Sequence, residues 1–307
     1  MNIIFMGTPE FSLNCLQALI ENNHNVAAVF TQPDKPKGRK YKLTAPPVKE
    51  LALKYDIPVY QPNSLKDDQV INSLKEKNPD VIVVVAFGKI LPKEILSIPR
   101  YGCINVHASL LPKYRGAAPI QWSIINGEKT TGVTTMLMDE GLDMGDMLLK
   151  ALVEIEPDDT AGTLHDKLSK TGGALLIETL NKIENNELSG EKQDDKKSCY
   201  SPMISKKDGV IDWNKDAYVL NNFIRGMNPW PVASTKLNGK MLKIYSANVL
   251  ADKNCAPGEV ISTAPLTVGC ADNTAIELCE VQIEGKKRMR SEDFLKGHKI
   301  ELGTVLG

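Results

Sequence analysis

No run of apolar residues in this 307-residue chain is long enough to span a membrane, and it contains no internal repeat or low-complexity tract. A strand-like apolar run begins at residue 2, so we expect no targeting segment and a cytoplasmic location. The net charge is only −1, which leaves no global basic field. A polyanionic partner would therefore have to be bound by a local cluster of basic residues.

Cysteine is also sparse, and its six positions (15, 103, 199, 255, 270 and 279) include no CxxC pair. Scattered cysteines argue against a disulfide framework and against a structural zinc site. Cys15 and Cys103 lie in apolar patterns. We therefore expect free, buried thiols in a reducing compartment and no bound metal.

The dinucleotide-binding fingerprint GxGxxG is missing from the first strand–helix–strand pattern. Asn2–Met6 predicts a strand, Gly7 to Glu10 a turn into a helix, and Val26–Thr31 the next strand. Without the fingerprint a nicotinamide cofactor is poorly supported, and we expect no NAD. Asp80–Ala86 is almost entirely apolar, which is typical of a central parallel strand covered on both faces. The first part of the chain is thus predicted to be an α/β domain with a Rossmann-like, mostly parallel sheet.

The pattern changes beyond a polar stretch at residues 190–207, which we interpret as a linker. After it, short apolar runs alternate with turn residues, which indicates a small β-barrel. The predicted organisation is a catalytic domain at 1–189, the linker at 190–207 and a smaller β domain at 208–307.

Residues 103–146 combine the groups that an acid/base site needs. Asn105 and His107 alternate with apolar residues, so they would share one face of a strand that ends before Pro112. A second strand-like run leads into a carboxylate-rich loop from Asp139 to Asp146. By residue type alone, a structural histidine and a solvated loop explain these features as well. Their placement at predicted strand ends favours a site, since open α/β sheets bind ligands there.

The pattern NxHxSLLP followed by RG and DxGxDxG, at residues 105–112, 115–116 and 139–145, resembles the formyltransferases that use 10-formyltetrahydrofolate. SLLPKYRGAAPIQWSIINGE is similar to the methionyl-tRNA formyltransferases among them. The likeness continues in FMGTPEFS, VFTQPDKPKGRK, IDW and NPWP and covers essentially the whole chain. It implies that the second domain is a barrel of the oligonucleotide-binding type, which binds tRNA.

The resemblance implies that Asn105, His107 and Asp143 are catalytic. Formyl transfer develops an oxyanion, to which Asn105 and a protonated His107 could donate hydrogen bonds. Asp143 would orient His107 and accept a proton from the incoming ammonium, directly or through water. The absence of a GxSxG nucleophile motif is consistent with direct transfer from the activated donor.

The formyl donor, 10-formyltetrahydrofolate, is the implied co-substrate. We expect it to be held largely by main-chain groups of Ser109, Leu110, Leu111 and Pro112 and by the loop that begins at Asp139. The resemblance also implies that Phe87, Gly88 and Leu91 help to line the pterin pocket, although by residue type Phe87 and Leu91 are core residues.

A basic cluster lies in the proline-rich stretch 32–47, which we predict to be an exposed, mobile loop. Its members are Lys35, Lys37, Arg39, Lys40 and Lys42. The resemblance places such a loop near the acceptor stem of initiator methionyl-tRNA, with Arg39 at the position of the family's loop arginine. Further candidates for phosphate contacts are Lys206 and Lys207, and the cluster at 286–290. We expect a monomer.

Three other functions remain open. An enzyme with the same core and donor could formylate glycinamide ribonucleotide or an amino sugar nucleotide, although that would not need the basic loop and second domain. A nicotinamide dehydrogenase lacks its fingerprint here. A non-catalytic RNA-binding protein would have no reason to keep Asn105, His107 and Asp143 together.

Overall fold

The computed structural model describes residues 1–37, 42–251 and 253–307. Contacts divide the chain into two compact units. The first comprises residues 1–116, 130–154 and 165–201, and the second comprises 117–129, 155–164 and 202–307.

Eleven of the strands in the described residues belong to the first unit. They are β1 (Asn2–Gly7), β2 (Asn25–Phe30), β3 (Lys35–Lys37), β4 (Lys42–Thr44), β5 (Val59–Tyr60), β6 (Val81–Val85), β7 (Cys103–His107), β8 (Arg115–Gly116), β9 (Thr130–Leu137), β10 (Met147–Glu154) and β11 (Tyr200–Ser201). Those of the second unit are β12 (Ala233–Leu237), β13 (Lys240–Leu250), β14 (Val260–Thr263), β15 (Leu266–Gly269), β16 (Ala275–Ile283) and β17 (Met289–Arg290).

The α-helices range from one turn to a 24-residue helix. They are α1 (Leu13–Glu21), α2 (Pro47–Lys54), α3 (Asp68–Glu76), α4 (Lys93–Leu96), α5 (Pro119–Ile125), α6 (Ala161–Glu184), α7 (Ala217–Gly226) and α8 (Ser291–Gly297). Local sequence explains several helix starts. Proline stands at the first helical position of α2 and α5. In the first turn of α7, the Asp216 side chain accepts hydrogen bonds from the backbone N–H groups of Tyr218 and Val219.

The large sheet has the strand order β10–β9–β7–β6–β1–β2–β5. The strands from β7 to β5 pair in parallel, and β9 and β10 add an antiparallel edge. β6 is buried along its whole length, as its apolar sequence predicts. The fold-class prediction of a Rossmann-like, mostly parallel sheet is therefore confirmed.

The second unit has an antiparallel sheet in the order β12–β13–β16–β15–β14, with β17 paired to β16. This is the smaller β domain that the sequence predicts. α5 and α7 pack closely in this unit, because Gly226 has no side chain: a Cβ there would lie 2.5 Å from Ile125 Cγ1. Trp213 lies in the apolar core of this unit, before α7 begins at Ala217.

The units and the predicted domains divide the chain differently. Residues 117–129 and 155–164, within the predicted catalytic domain, belong to the second unit, while 190–201, within the predicted linker, belongs to the first. The physical reason is packing, which sequence order does not show. Ala118 is buried in the apolar core of the second unit, and Ser201 pairs with Gly116 of the first.

The basic stretch 32–47 is not simply an irregular loop. Lys35–Lys37 and Lys42–Thr44 form a two-stranded antiparallel ribbon, because the backbones of these two short runs pair with each other. The predicted phosphate-binding residues Arg39 and Lys40 lie outside the described residues. In the part of the chain that the structure describes, no helix is both long and apolar enough to cross a membrane.

All six cysteines are described, and all are free thiols. Cys15, Cys103 and Cys270 are buried, as the apolar patterns around the first two predict. Burial raises the pKa of each of these three thiols to about 12.

Candidate active site

The site forms at the carboxyl end of β7, where the strand passes between β6 and β9. Asn105 is in register with Val84 on one side and Met136 on the other, and His107 is opposite Thr134. Both polar residues therefore reach the sheet edge at which parallel strands end, which is where this architecture binds ligands.

Asp143 reaches the same place from the loop between β9 and β10. Its Oδ1 lies 3.4 Å from Asn105 Nδ2, and its Oδ2 lies 3.7 Å from His107 Nδ1. Oδ2 also accepts a 2.9 Å hydrogen bond from the backbone N–H of Gly116. The three residues that the sequence names as catalytic are thus brought together, with both titratable side chains at least 87% buried.

The path of the loop between β9 and β10 depends on close backbone packing. Asp143 adopts a positive φ of 53°, a conformation that aspartate tolerates better than most residues. Gly145 lies so close to β9 that a Cβ there would be 1.8 Å from Leu137 O. The Asp139 side chain accepts a 2.9 Å hydrogen bond from Gly141 N, which closes the turn before Asp143.

The orientation of His107 is fixed from its far side. Nε2 lies 2.9 Å from the carbonyl oxygen of Tyr114, which can only accept a hydrogen bond. Nε2 must therefore carry a proton, and Nδ1 is the ring nitrogen that faces Asp143. Ser201 Oγ also donates to the Tyr114 carbonyl, at 3.3 Å.

The predicted folate-binding segment 109–112 continues from β7 and is tied back to the sheet. Thr134 Oγ1 donates to Ser109 O at 2.7 Å and accepts from Leu111 N at 3.1 Å. Ser109 and Leu111 are buried, and Leu110 and Pro112 are partly exposed. Leu110 O also accepts a 3.2 Å hydrogen bond from Lys113 N, so three of the main-chain groups expected to bind folate are engaged within the protein.

Phe87 and Leu91, predicted to line the pterin pocket, have buried side chains within the apolar core. Their residue types indicate this core role. The same segment presents Gly88 and Ile90 to solvent, and Ile90 is 83% exposed. Their part in folate binding stays a prediction. Asp139, the remaining predicted folate contact, is exposed.

The loops that follow β1, β2 and β6 are joined by hydrogen bonds to one carbonyl. Phe87 O accepts from Thr8 Oγ1 at 3.2 Å and from Gln32 Nε2 at 3.1 Å. The core strands thereby hold the Phe87–Gly88 segment in a fixed position at the sheet edge.

The β3–β4 ribbon is anchored at its base by a charged cluster. Lys49 Nζ donates to both Asp34 oxygens at 2.9 Å and to Gln61 Oε1 at 2.8 Å. The pKa of Asp34 lies below its ordinary value because Gln61 and Lys49 donate hydrogen bonds to its carboxylate. The exposed Lys35 begins the ribbon directly after this anchor.

Lys206 and Lys207 are exposed in a short 3₁₀ turn of the second unit, capped by Ser205 and Asp208. The basic cluster at 286–290 is exposed as well, but Arg288 is already engaged. Its guanidinium pairs with Glu280 and lies 4.3 Å from the centre of the Tyr245 ring. Arg288 is therefore less available for phosphate than its neighbours.

Sequence reasoning assigned no role to several residues that shape the site, among them Tyr114, Gly116 and Gln193. Tyr114 and Gly116 act through main-chain atoms, so their residue types carry no chemical signal. Gln193 lies in the polar stretch assigned to the linker, where a glutamine looks like an ordinary solvated residue. Among the described residues, no group of three or more His, Cys, Asp or Glu side chains is placed to hold a metal ion.

Comparison with known proteins gives two matches to family models. The model described as formyl transferase matches residues 1–180, and the model of the formyl transferase C-terminal domain matches residues 203–299. The chain belongs to the formyl transferase family.

The sequences of several relatives match this formyl transferase over its whole length. A methionyl-tRNA formyltransferase of Caldanaerobacter subterraneus subsp. tengcongensis is 54% identical, with 100% of each chain covered. One from Geotalea uraniireducens is 52% identical over 100% of this chain and 98% of its own. Both exceed the similarity needed to infer a shared fold and family, so the expected family membership is confirmed.

A solved structure supports the fold independently. The N-formyltransferase of Helicobacter canadensis, in complex with folinic acid and dTDP-3-aminofucose, superposes with a TM-score of 0.68 at 21% identity. The match covers 90% of this chain and 98% of that one. At this identity it shows a common fold and leaves the acceptor of the present chain open.

Proposed function

We propose that this enzyme transfers the formyl group of 10-formyltetrahydrofolate to the α-amino group of methionyl initiator tRNA and so supports translation initiation. The observation that carries the proposal is the convergence of Asn105, His107 and Asp143 in a chain that is 52–54% identical to methionyl-tRNA formyltransferases over its full length. The similarity to these relatives suggests the formyl donor and the acceptor, and the positions of the three side chains suggest how the transfer is catalysed.

The reaction is an acyl transfer without a covalent enzyme intermediate. The free α-amine attacks the formyl carbon, a carbon–nitrogen bond forms, and the carbonyl oxygen becomes an oxyanion. Collapse of this intermediate breaks the bond from the formyl carbon to N10 of the folate. The proton lost by the amine balances the proton taken up by the leaving nitrogen.

Asn105 and His107 are the proposed oxyanion donors. The 3.4 Å contact from Asn105 Nδ2 to Asp143 is long, so the amide group can turn one N–H toward a ligand at little cost. When His107 is protonated, Nδ1 offers a second donor at the same strand end. Two preorganised donors in a buried site stabilise developing negative charge more than they would in water.

Asp143 is the proposed acceptor of the proton from the incoming ammonium. Its Oδ2 already accepts from Gly116 N, which keeps the carboxylate in place while a proton moves to or from it. The 3.7 Å separation from His107 Nδ1 allows the ring to donate to the oxyanion instead of being held by the carboxylate.

The folate donor is proposed to lie along the segment 109–112 and the loop from Asp139 to Asp143. Exposed apolar side chains at Ile90 and Leu142 suit a flat, partly apolar ligand. Lys93 and Glu140 pair at 3.2 Å, which ties the segment after Ile90 to the loop that carries Leu142.

The basic residues are proposed to contact the tRNA phosphates. The anchored β3–β4 ribbon carries Lys35, Lys37 and Lys42, and the exposed 3₁₀ turn carries Lys206 and Lys207. Lys89 adds charge near the ribbon: its pKa is lowered by burial and by the proximity of Lys35. Two cations that repel each other form a favourable place for an anionic backbone.

The decisive experiment is single-turnover formyl transfer from 10-formyltetrahydrofolate with competing acceptors. These are methionyl initiator tRNA, glycinamide ribonucleotide and an amino sugar nucleotide, with uncharged tRNA as the control. We expect fast formylation of the charged tRNA alone. Transfer to a small acceptor instead would retain the chemistry and overturn the proposed acceptor.

A further inference from the structure

The segment 191–201, within the stretch that the sequence assigns to a linker, packs along the candidate active site. We call it the 191–201 strap. Glu191 and Met147 exchange two backbone hydrogen bonds of 2.8 Å, and at the other end Tyr200 and Ser201 pair with Arg115 and Gly116. The strap therefore joins the start of β10, which directly follows the loop that carries Asp143, to the strand that carries Gly116.

Gln193 is the residue of the strap that touches the Asp143 loop directly. Its Nε2 donates to Asp143 O and to Gly145 O, both at 2.8 Å. Its Oε1 accepts a 2.9 Å hydrogen bond from Arg115 Nε, which can only donate. All three contacts agree on the orientation of the amide, and both of its N–H groups are used.

Arg115 holds Gln193 in this position. The guanidinium is largely buried, and its Nη2 pairs with Asp195 Oδ1 at 2.8 Å. Arg115 thus connects two strap residues, and its own backbone N–H donates to Cys199 O at 2.9 Å. A fixed arginine makes the Gln193 carboxamide a rigid support.

The Asp143 main chain needs such a support because its φ of 53° is unfavourable for a residue with a side chain. Rotation of this backbone would swing the carboxylate away from His107 and Gly116. The two carbonyls that Gln193 holds lie on either side of Met144, so one amide restrains both ends of this turn.

We propose that Gln193 is a positioning residue for formyl transfer, which holds the Asp143 carboxylate against His107 through the backbone carbonyls of Asp143 and Gly145. The inference rests on the proposed function, since Asp143 must take part in catalysis for its position to affect the rate. Gln193 itself touches no reacting atom in this scheme.

The first measurement is the kinetics of Gln193→Ala and Gln193→Glu with whichever acceptor the unmodified enzyme formylates. We expect kcat to fall roughly 10- to 100-fold in both, because small displacements of catalytic groups cost this much, with KM little changed. The glutamate variant keeps an acceptor for Arg115 but loses both donors. It therefore tests the two hydrogen bonds to the Asp143 and Gly145 carbonyls separately from the contact with Arg115.

Gln17→Ala is the matched control. Gln17 is partly buried in the same unit and also makes two side-chain hydrogen bonds, to Glu21 and Tyr55, but it lies on α1. Its variant is expected to keep the normal kcat. Hydrogen exchange of the peptide 139–146 should quicken in Gln193→Ala and remain unchanged in Gln17→Ala.

A double-mutant cycle with Asp143→Asn tests whether Gln193 acts through Asp143. In the Asp143→Asn background, adding Gln193→Ala should lower the single-turnover rate by a further factor of less than about two, because the carboxylate that Gln193 positions is already gone. Equal losses in both backgrounds, or a normal kcat for both Gln193 variants, would overturn the positioning role. If the unmodified enzyme formylates only a small acceptor, the proposed acceptor is wrong, and this cycle still decides the role of Gln193. If the unmodified enzyme transfers no formyl group at all, both the proposed function and the positioning role fail.

Discussion

His107 Nε2 lies 2.9 Å from the carbonyl oxygen of Tyr114, and this contact sets the orientation of the imidazole in the candidate site. Tyr114 is itself in the left-handed region, with φ of 59°, and Ser201 also donates to its carbonyl. The position of His107 thus depends on main-chain atoms seven residues further along the chain and on a hydroxyl of the strap.

The first prediction concerns the two titratable groups of the site. His107→Ala and Asp143→Asn should each lower the single-turnover rate roughly 100-fold or more while changing substrate binding little, as expected for lost transition-state contacts. His165→Ala is the control, since His165 pairs with the neighbouring Asp166 and has no assigned role. Near-normal turnover of either site variant would contradict the mechanism.

The second prediction tests the close packing that shapes the Asp143 loop. Gly145→Ala would force a Cβ to within 1.8 Å of Leu137 O, so the loop must move. We expect a large loss of kcat and about 1–3 kcal/mol of destabilisation, measured by denaturant unfolding. Gly297→Ala, where no atom lies within 4 Å of the added Cβ, should leave both quantities nearly unchanged.

The third prediction concerns the thiols. With iodoacetamide at pH 8, the exposed Cys199 should react in the native protein, whereas Cys15, Cys103 and Cys270 should react only after unfolding, because burial raises their pKa to about 12. Peptide mass spectrometry at successive times would identify the order of modification. Rapid labelling of Cys103 in the folded enzyme would argue against the buried sheet described above.

Alkylation of Cys199 should also lower formyl transfer. Cys199 Sγ accepts a 3.2 Å contact from Tyr114 N, and the Tyr114 carbonyl holds His107. Cys199→Ser should stay active and become insensitive to the reagent. Persistent inhibition of that variant would place the sensitive thiol elsewhere.

The fourth prediction addresses tRNA binding. Replacing Lys206 and Lys207 by alanine should weaken tRNA binding and reduce the dependence of log K on log salt by about one for each lost phosphate contact. The KM for the folate should not change. Lys150→Ala, an exposed lysine on β10, serves as the control for a change of charge alone. An unaltered salt dependence in the double variant would remove these lysines from the interface.

Local sequence was sufficient to predict most strands of the large sheet and the placement of Asn105 and His107 on one face of a strand. An alternating strand places residues 105 and 107 on one face, whatever surrounds it. β1, β2 and β6 differ from the predicted runs Asn2–Met6, Val26–Thr31 and Asp80–Ala86 by no more than one residue at either end. The short helices α4 and α5 and the β3–β4 ribbon were missed, since runs this short leave little periodicity to detect.

The burial of Phe87 and Leu91 could be predicted from their residue types, whereas a role in the pterin pocket was implied only by the resemblance. Phe87 and Leu91 entered the core as their residue types indicate, because transfer of large apolar side chains from water stabilises the fold. The resemblance implies that the same segment helps to line the pterin pocket. Both interpretations can hold, because a segment can line a ligand site through its backbone while its side chains face the core.

The sequence by itself determined the family, the parallel sheet and the three side chains proposed to carry the chemistry, because these follow from local patterns and a specific motif. Only the tertiary structure decided that Tyr114 O orients His107, that Gly116 N holds Asp143 and that Gln193 supports the Asp143 loop. The partners in these contacts are 7, 27 and 50 residues apart in the chain, and one partner in each is a backbone atom, which carries no residue-specific signal in the sequence. Their partners are therefore set by how the folded chain brings its loops together at the sheet edge.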